Sequence, residues 1–125
     1  MEFGLGEAKV VAAMKALGGR ATLREISEFV NAQPSYVLNV LSNLRSIGIV
    51  EAMSGSGFGF FGSTSGRGSS REKTYVMIKS FEDVFEENED VIMGWAKIVL
   101  EVDSMSKLLA KLDQAGKKYR DSSVK

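Results

Sequence analysis

The chain has 125 residues, 44% of them hydrophobic, enough for one domain with a real core and a helical appendage. It holds no cysteine and no histidine, which excludes disulfides, thiolate or imidazole metal sites and any Ser-His nucleophile pair. Sixteen Lys/Arg balance sixteen Asp/Glu, and a net charge of zero argues against indiscriminate coating of nucleic acid.

Residues 5 to 17 read as the first helix, with Leu5, Val10, Val11, Met14 and Leu17 as its apolar stripe and Gly18-Gly19 as its stop. Residues 22 to 31 read as the second. Thr22-Leu-Arg-Glu25 has capping-box spacing, so the Thr22 hydroxyl and the Glu25 carboxylate can each accept from an orphan amide. Leu23, Ile26, Phe29 and Val30 face inward. Asn31-Ala-Gln-Pro34 is the turn, and Pro34 suits a first helical position. The third helix, residues 34 to 47, buries Val37, Val40, Leu41, Leu44 and Ile47 and stops at Gly48. Ile49 to Met53 and Lys73 to Lys79 then read as two strands of a hairpin.

Between those strands, residues 54 to 71 hold six Gly, six Ser and three Phe. Phe58, Phe60 and Phe61 can fold back on the core, meet a partner subunit or wedge at DNA. Gly57-Phe-Gly-Phe-Phe-Gly62 matches a dinucleotide fingerprint letter for letter. That fingerprint needs a helix immediately afterwards to meet the pyrophosphate, and here a strand follows.

Beyond Ser80, Phe81, Asn88, Trp95, Val102 and Leu109 recur every seven residues. Val84, Val91, Ile98, Met105, Leu112 and Tyr119 recur with them, offset by three, an a/d pattern over about five heptads. One long helix, or two broken near Asn88 or Gly94, fits this pattern. The seam predicts a homodimer through Val91, Trp95, Ile98, Val102, Met105, Leu109 and Leu112. The alternative is a helix folded back on its own domain. Residues 121 to 125 are expected to be a disordered tail. Charge divides in parallel: residues 1 to 79 carry a net +3 and residues 80 to 125 a net −3. A basic head on an acidic tail fits a DNA reader with a dimerisation arm that does not touch DNA. The acidic cluster at Glu86, Glu87, Glu89 and Asp90 lacks the spacing of a calcium loop and reads as a solvated face.

The order helix, turn, helix, strand, glycine-rich loop, strand is that of a winged helix-turn-helix. The segment Pro34-Ser-Tyr-Val-Leu-Asn-Val-Leu-Ser-Asn-Leu-Arg-Ser-Ile-Gly-Ile-Val50 resembles the recognition-helix region of the MarR and ArsR regulators. Val37, Leu41 and Leu44 fill its apolar places and Gly48-Ile49-Val50 its exit. The likeness covers residues 7 to 80. With its helical tail the whole chain is similar to small archaeal winged-helix regulators that dimerise through a C-terminal coiled coil. The resemblance implies a mainly α, α+β fold: a winged helix-turn-helix over residues 1 to 80, then a dimerising helix or helix pair over 81 to 120. It also implies a dimeric DNA-binding transcriptional regulator or chromatin-like protein, cytoplasmic and nucleoid-associated, with double-stranded DNA and itself as partners.

Within that frame Ser35, Tyr36, Asn39, Ser42 and Asn43 form the polar face of the third helix. Asparagine can pair bidentately with adenine, and serine can serve bases or phosphates. Their alternative is an ordinary solvated face. Leu38 stands where the compared families often carry a polar or basic residue, and Arg45 is the helix's only cation. Arg67, Arg71 and Lys73 lie in or beside the wing, where such residues reach the minor groove or phosphates. Arg20 and Arg24, near the start of the second helix, can contact phosphates, as can the exposed amides there. No catalytic constellation, cofactor motif or membrane span is expected. The competing reading is a winged helix used for protein–protein interaction without DNA, supported by the neutral charge, the cation-poor third helix and the loop phenylalanines.

Overall fold

The computed structural model describes residues 3–53 and 73–123. It is mainly helical with one small antiparallel sheet. The elements in chain order are α1 (Leu5–Ala16), β1 (Arg20–Thr22), α2 (Leu23–Val30), α3 (Pro34–Ser46), β2 (Val50–Met53), β3 (Thr74–Met77), α4 (Phe81–Glu87), α5 (Glu89–Val99) and α6 (Met105–Ser123).

α1 is the central helix. Ala8 and every residue from Val10 to Met14 are buried, so apolar contact surrounds the helix rather than lining one stripe. Three of those residues are alanine, which lets neighbours approach closely. α2 and α3 pack on α1, and so do α5 and α6. One apolar cluster therefore takes Val37, Leu41 and Leu44 from α3 together with Ile92 and Trp95 from α5 and Leu108 and Leu112 from α6. Leu5, expected in the stripe, is 63% exposed, because it stands on the first turn of α1.

The sheet has the order β1-β3-β2. Ala21 and Ala52 lie opposite Tyr75 from either side, and this row faces the core. Arg20 and Glu51 flank Val76 on the outer face. β1 is too short to show periodicity, and its three residues become a strand only through pairing with β3. The hairpin strands are shorter than expected, since Ile49 and Ile78 lie beyond the ladder, joined by a 2.9 Å bond from the Ile78 amide to the Ile49 carbonyl.

The C-terminal region departs most from expectation. The a/d pattern does not run along one seam, because the chain breaks twice. Asn88 separates α4 from α5, its side-chain amide donating to the Val84 carbonyl at 3.0 Å. A second break follows α5, where Glu101 adopts a left-handed φ of 58° and Ser104 starts a new helix. The Lys107 amide donates to the Ser104 hydroxyl at 3.3 Å. α6 then buries Leu108, Leu112 and Gly116, a four-residue step, in place of the expected Leu109.

α6 continues past the expected limit at residue 120, because its last turns are held. Tyr119 Oη donates to Glu28 Oε1 at 2.7 Å and its ring meets Phe29 edge-on at 5.8 Å. Arg120 donates to the Leu17 carbonyl. Burial, the Glu28 hydrogen bond and that carboxylate's charge push the Tyr119 phenol up to about 12. A side chain at Gly116 would place its Cβ 2.0 Å from the Ala16 carbonyl oxygen, so glycine is what lets α6 reach α1.

Candidate nucleic-acid interface

The turn between α2 and α3 is built by local rules. Asn31 closes α2 in the left-handed region, with φ 56° and ψ 54°. The Ala32 amide donates to the Ser27 carbonyl at 3.1 Å, tying off the end of α2. Gln33 is the N-cap of α3, and Pro34 occupies its first turn without losing a needed donor. Val37, Val40, Leu41 and Leu44 fix the rotation of α3 against the core. That rotation leaves Ser35, Leu38, Asn39, Ser42, Arg45 and Ser46 on the outside.

Ser35, Asn39 and Ser42 are exposed, and among the described residues no group bonds their side chains. Tyr36 is 42% exposed, with its hydroxyl resting against Gly6 of α1, where a Cβ would stand only 2.4 Å away. Leu38 is 41% exposed. Arg45 pairs with Glu51 across the α3–β2 corner at 3.5 Å.

Asn43 lies at the edge of that face. Its amide donates to Glu7 Oε2 at 2.8 Å and it is only half exposed, so it braces α3 against α1 instead of facing outward. Glu7 also caps α1 through the Gly4 amide at 2.9 Å. The i, i+7 spacing from Tyr36 to Asn43 marks both as the edge that meets α1, a signal present in the sequence.

At the start of α2 three amides are already bonded. The capping box forms, with the Glu25 amide donating to Thr22 Oγ1 at 3.1 Å and the Thr22 amide to Glu25 Oε1 at 2.9 Å. The Leu23 amide donates to the Lys73 carbonyl at 3.2 Å. These amides are therefore taken, and the Glu25 carboxylate adds negative charge where a phosphate was expected. Arg20, Arg24 and Lys73 themselves are exposed. An open hollow of about 730 Å³ lies between α2 and α3, lined by Arg24, Ser27, Glu28, Asn31, Gln33 and Pro34 among others. Arg67, Arg71 and the three loop phenylalanines lie outside the described residues.

The residues expected at a dimer seam divide. Trp95, Val102 and Leu112 are buried within the single chain, and Val91, Met105 and Leu109 are half-buried against the same core. Ile98 stands apart at 80% exposure, beside Val99 at 56%. Trp95 is also the site of a buried indole N–H that finds no acceptor among the described residues. The expected acidic tail resolves into two opposite parts. α4 and α5 carry six acids against one lysine, whereas α6 carries five cations against two acids. Lys107, Lys111 and Lys118 form a stripe along one outward flank of α6.

Among the described residues no group of carboxylates is placed to hold a metal ion, and no helix is long and apolar enough to cross a membrane. Comparison with protein-family models, curated proteins and solved structures yields no match to this chain.

Proposed function

We propose that the chain is a winged helix-turn-helix DNA-binding protein, a transcriptional regulator or chromatin-like protein, in which α3 enters the major groove. The observation that carries this reading is the outward face of α3. Ser35, Asn39 and Ser42 have no partner among the described residues and do nothing for the packing of α3, yet serine and asparagine are among the weaker helix formers. Their donors and acceptors are displayed on a helix held rigidly by Val37, Leu41 and Leu44, as base readout requires. The three-helix arrangement, the tight α2–α3 turn and the sheet order β1-β3-β2 support the same reading. Arg20, Arg24 and Lys73 supply phosphate contacts beside α3.

Pairing of two copies, needed to span successive grooves, falls to Ile98 and Val99, the apolar side chains that the C-terminal helices leave outside their own core. The second reading, a protein-interaction module, is favoured by Leu38 and Tyr36 on the same face and by the pairing of its one cation with Glu51.

Fluorescence anisotropy of a labelled mixed-sequence duplex separates the two. The DNA reading expects binding that weakens steeply as salt rises, because phosphate contacts dominate affinity, and weaker binding by Arg24→Ala. Absence of binding at low salt would leave the interaction module as the better reading.

A further inference from the structure

The part of α3 that would meet base edges carries no cation. Its outward side chains from Ser35 to Ser42 are serine, tyrosine, leucine, asparagine and serine. Guanine is selected in the major groove chiefly by arginine or lysine reaching its O6 and N7. The only candidate on the helix, Arg45, sits in the last turn against the Glu51 carboxylate. N-terminal residues of a recognition helix are those that meet the bases, so Arg45 is also at the wrong end.

Two neighbours on that face have a definite complement. The Asn39 carboxamide is exposed and bonds to no group among the described residues, which leaves its donor and acceptor to a ligand. Side by side they match the N7 acceptor and the N6 amino donor of adenine. Leu38 precedes it in the chain and is 41% exposed, which puts a branched apolar group on the same outward side of α3. Thymine is the only base that offers a methyl group to such a side chain in the major groove. Ser35 and Ser42 can donate or accept and add no preference of their own.

We propose that α3 selects A·T over G·C base pairs, with Asn39 pairing to adenine and Leu38 packing on a thymine methyl. This rests on the DNA-binding reading of α3 given above. The selection is read in the major groove, which distinguishes it from any preference for a narrow minor groove.

The test uses the full chain and two labelled duplexes of equal length, one of A·T and one of G·C pairs. Two further A·T duplexes carry uracil for thymine, which removes the methyl, or 7-deazaadenine for adenine, which removes N7. Both changes leave the minor groove unaltered. The wild type should prefer the A·T duplex by about tenfold, the worth of one good bidentate pair. Uracil should weaken binding by the wild type and leave Leu38→Ala unchanged. The 7-deaza base should weaken the wild type and leave Asn39→Ala unchanged. Equal affinity for the A·T and G·C duplexes would overturn the proposal while the DNA reading stands. So would a preference indifferent to both modified bases. Binding to neither duplex at low salt would overturn both together. Both side chains are exposed, so circular dichroism should show each variant folded as the wild type is.

Discussion

α3 and α6 both pack one face on α1, and their other faces are made differently. Outside the core α6 carries Lys107, Lys111, Gln114, Lys117 and Lys118, residues that favour a helix by themselves. α3 carries Ser35, Asn39, Ser42 and Ser46, whose side chains compete for backbone hydrogen bonds and weaken a helix. Nearly every apolar or polar group of α6 near α1 is committed inside the chain: Leu108 and Leu112 in the core, Tyr119 on Glu28, Arg120 on the Leu17 carbonyl. On α3 the groups that stability does not explain are left exposed, with no bonding partner among the described residues. The contrast is that α6 acts as a brace, tied also to Glu28 and Phe29 of α2, whereas α3 keeps a polar face outward.

The largest expected effects lie on α6. Leu112→Ala should lower unfolding stability by about 3 kcal/mol, as for other buried leucines, and by the same amount at every protein concentration. A loss that shrinks as concentration rises would mean that Leu112 packs on a second copy, and the brace would be an interface. Gly116→Ala is the next. Alanine in place of glycine within a helix ordinarily stabilises by about 1 kcal/mol. Here the Ala16 carbonyl stands in the way, and urea unfolding should show a loss of about 2 kcal/mol. A gain would show that α6 does not approach α1 as described.

The smallest effect is on the other side of the comparison. Ser42→Ala should stabilise the fold by about 0.5 kcal/mol, because the serine contributes nothing to packing and alanine is the better helix former. The same substitution should weaken binding to duplex DNA. Higher stability with undiminished binding would reduce the α3 face to an ordinary solvated one.

Much of this arrangement was legible in the sequence wherever the signal was local. The Thr22–Glu25 capping box, Pro34 at the head of α3 and the apolar spacing of Val37, Leu41 and Leu44 located the paired helices to within a residue or two. Signals that depend on distant partners were not. β1 is a strand because β3 lies beside it, and Arg20-Ala-Thr22 has no pattern of its own. The heptad reading allowed the break found at Asn88 but not the one after α5, because seven-residue spacing survives a break that rotates the helix. Asp103-Ser104 before Met105 was a start signal there, and the apolar repeat hid it. In the candidate site, exposure of Ser35, Asn39 and Ser42 followed from the apolar positions of α3. The commitment of Asn43 to Glu7, thirty-six residues away, did not.

The most direct test of the contrast is an amide chemical-shift map of the protein titrated with duplex DNA at low salt. The account predicts shifts concentrated on residues 34 to 46, with smaller ones at Arg20, Arg24 and Lys73, while Leu108 to Gly116 of α6 stay unmoved. Shifts centred on α5 and α6, or none at all, would contradict it.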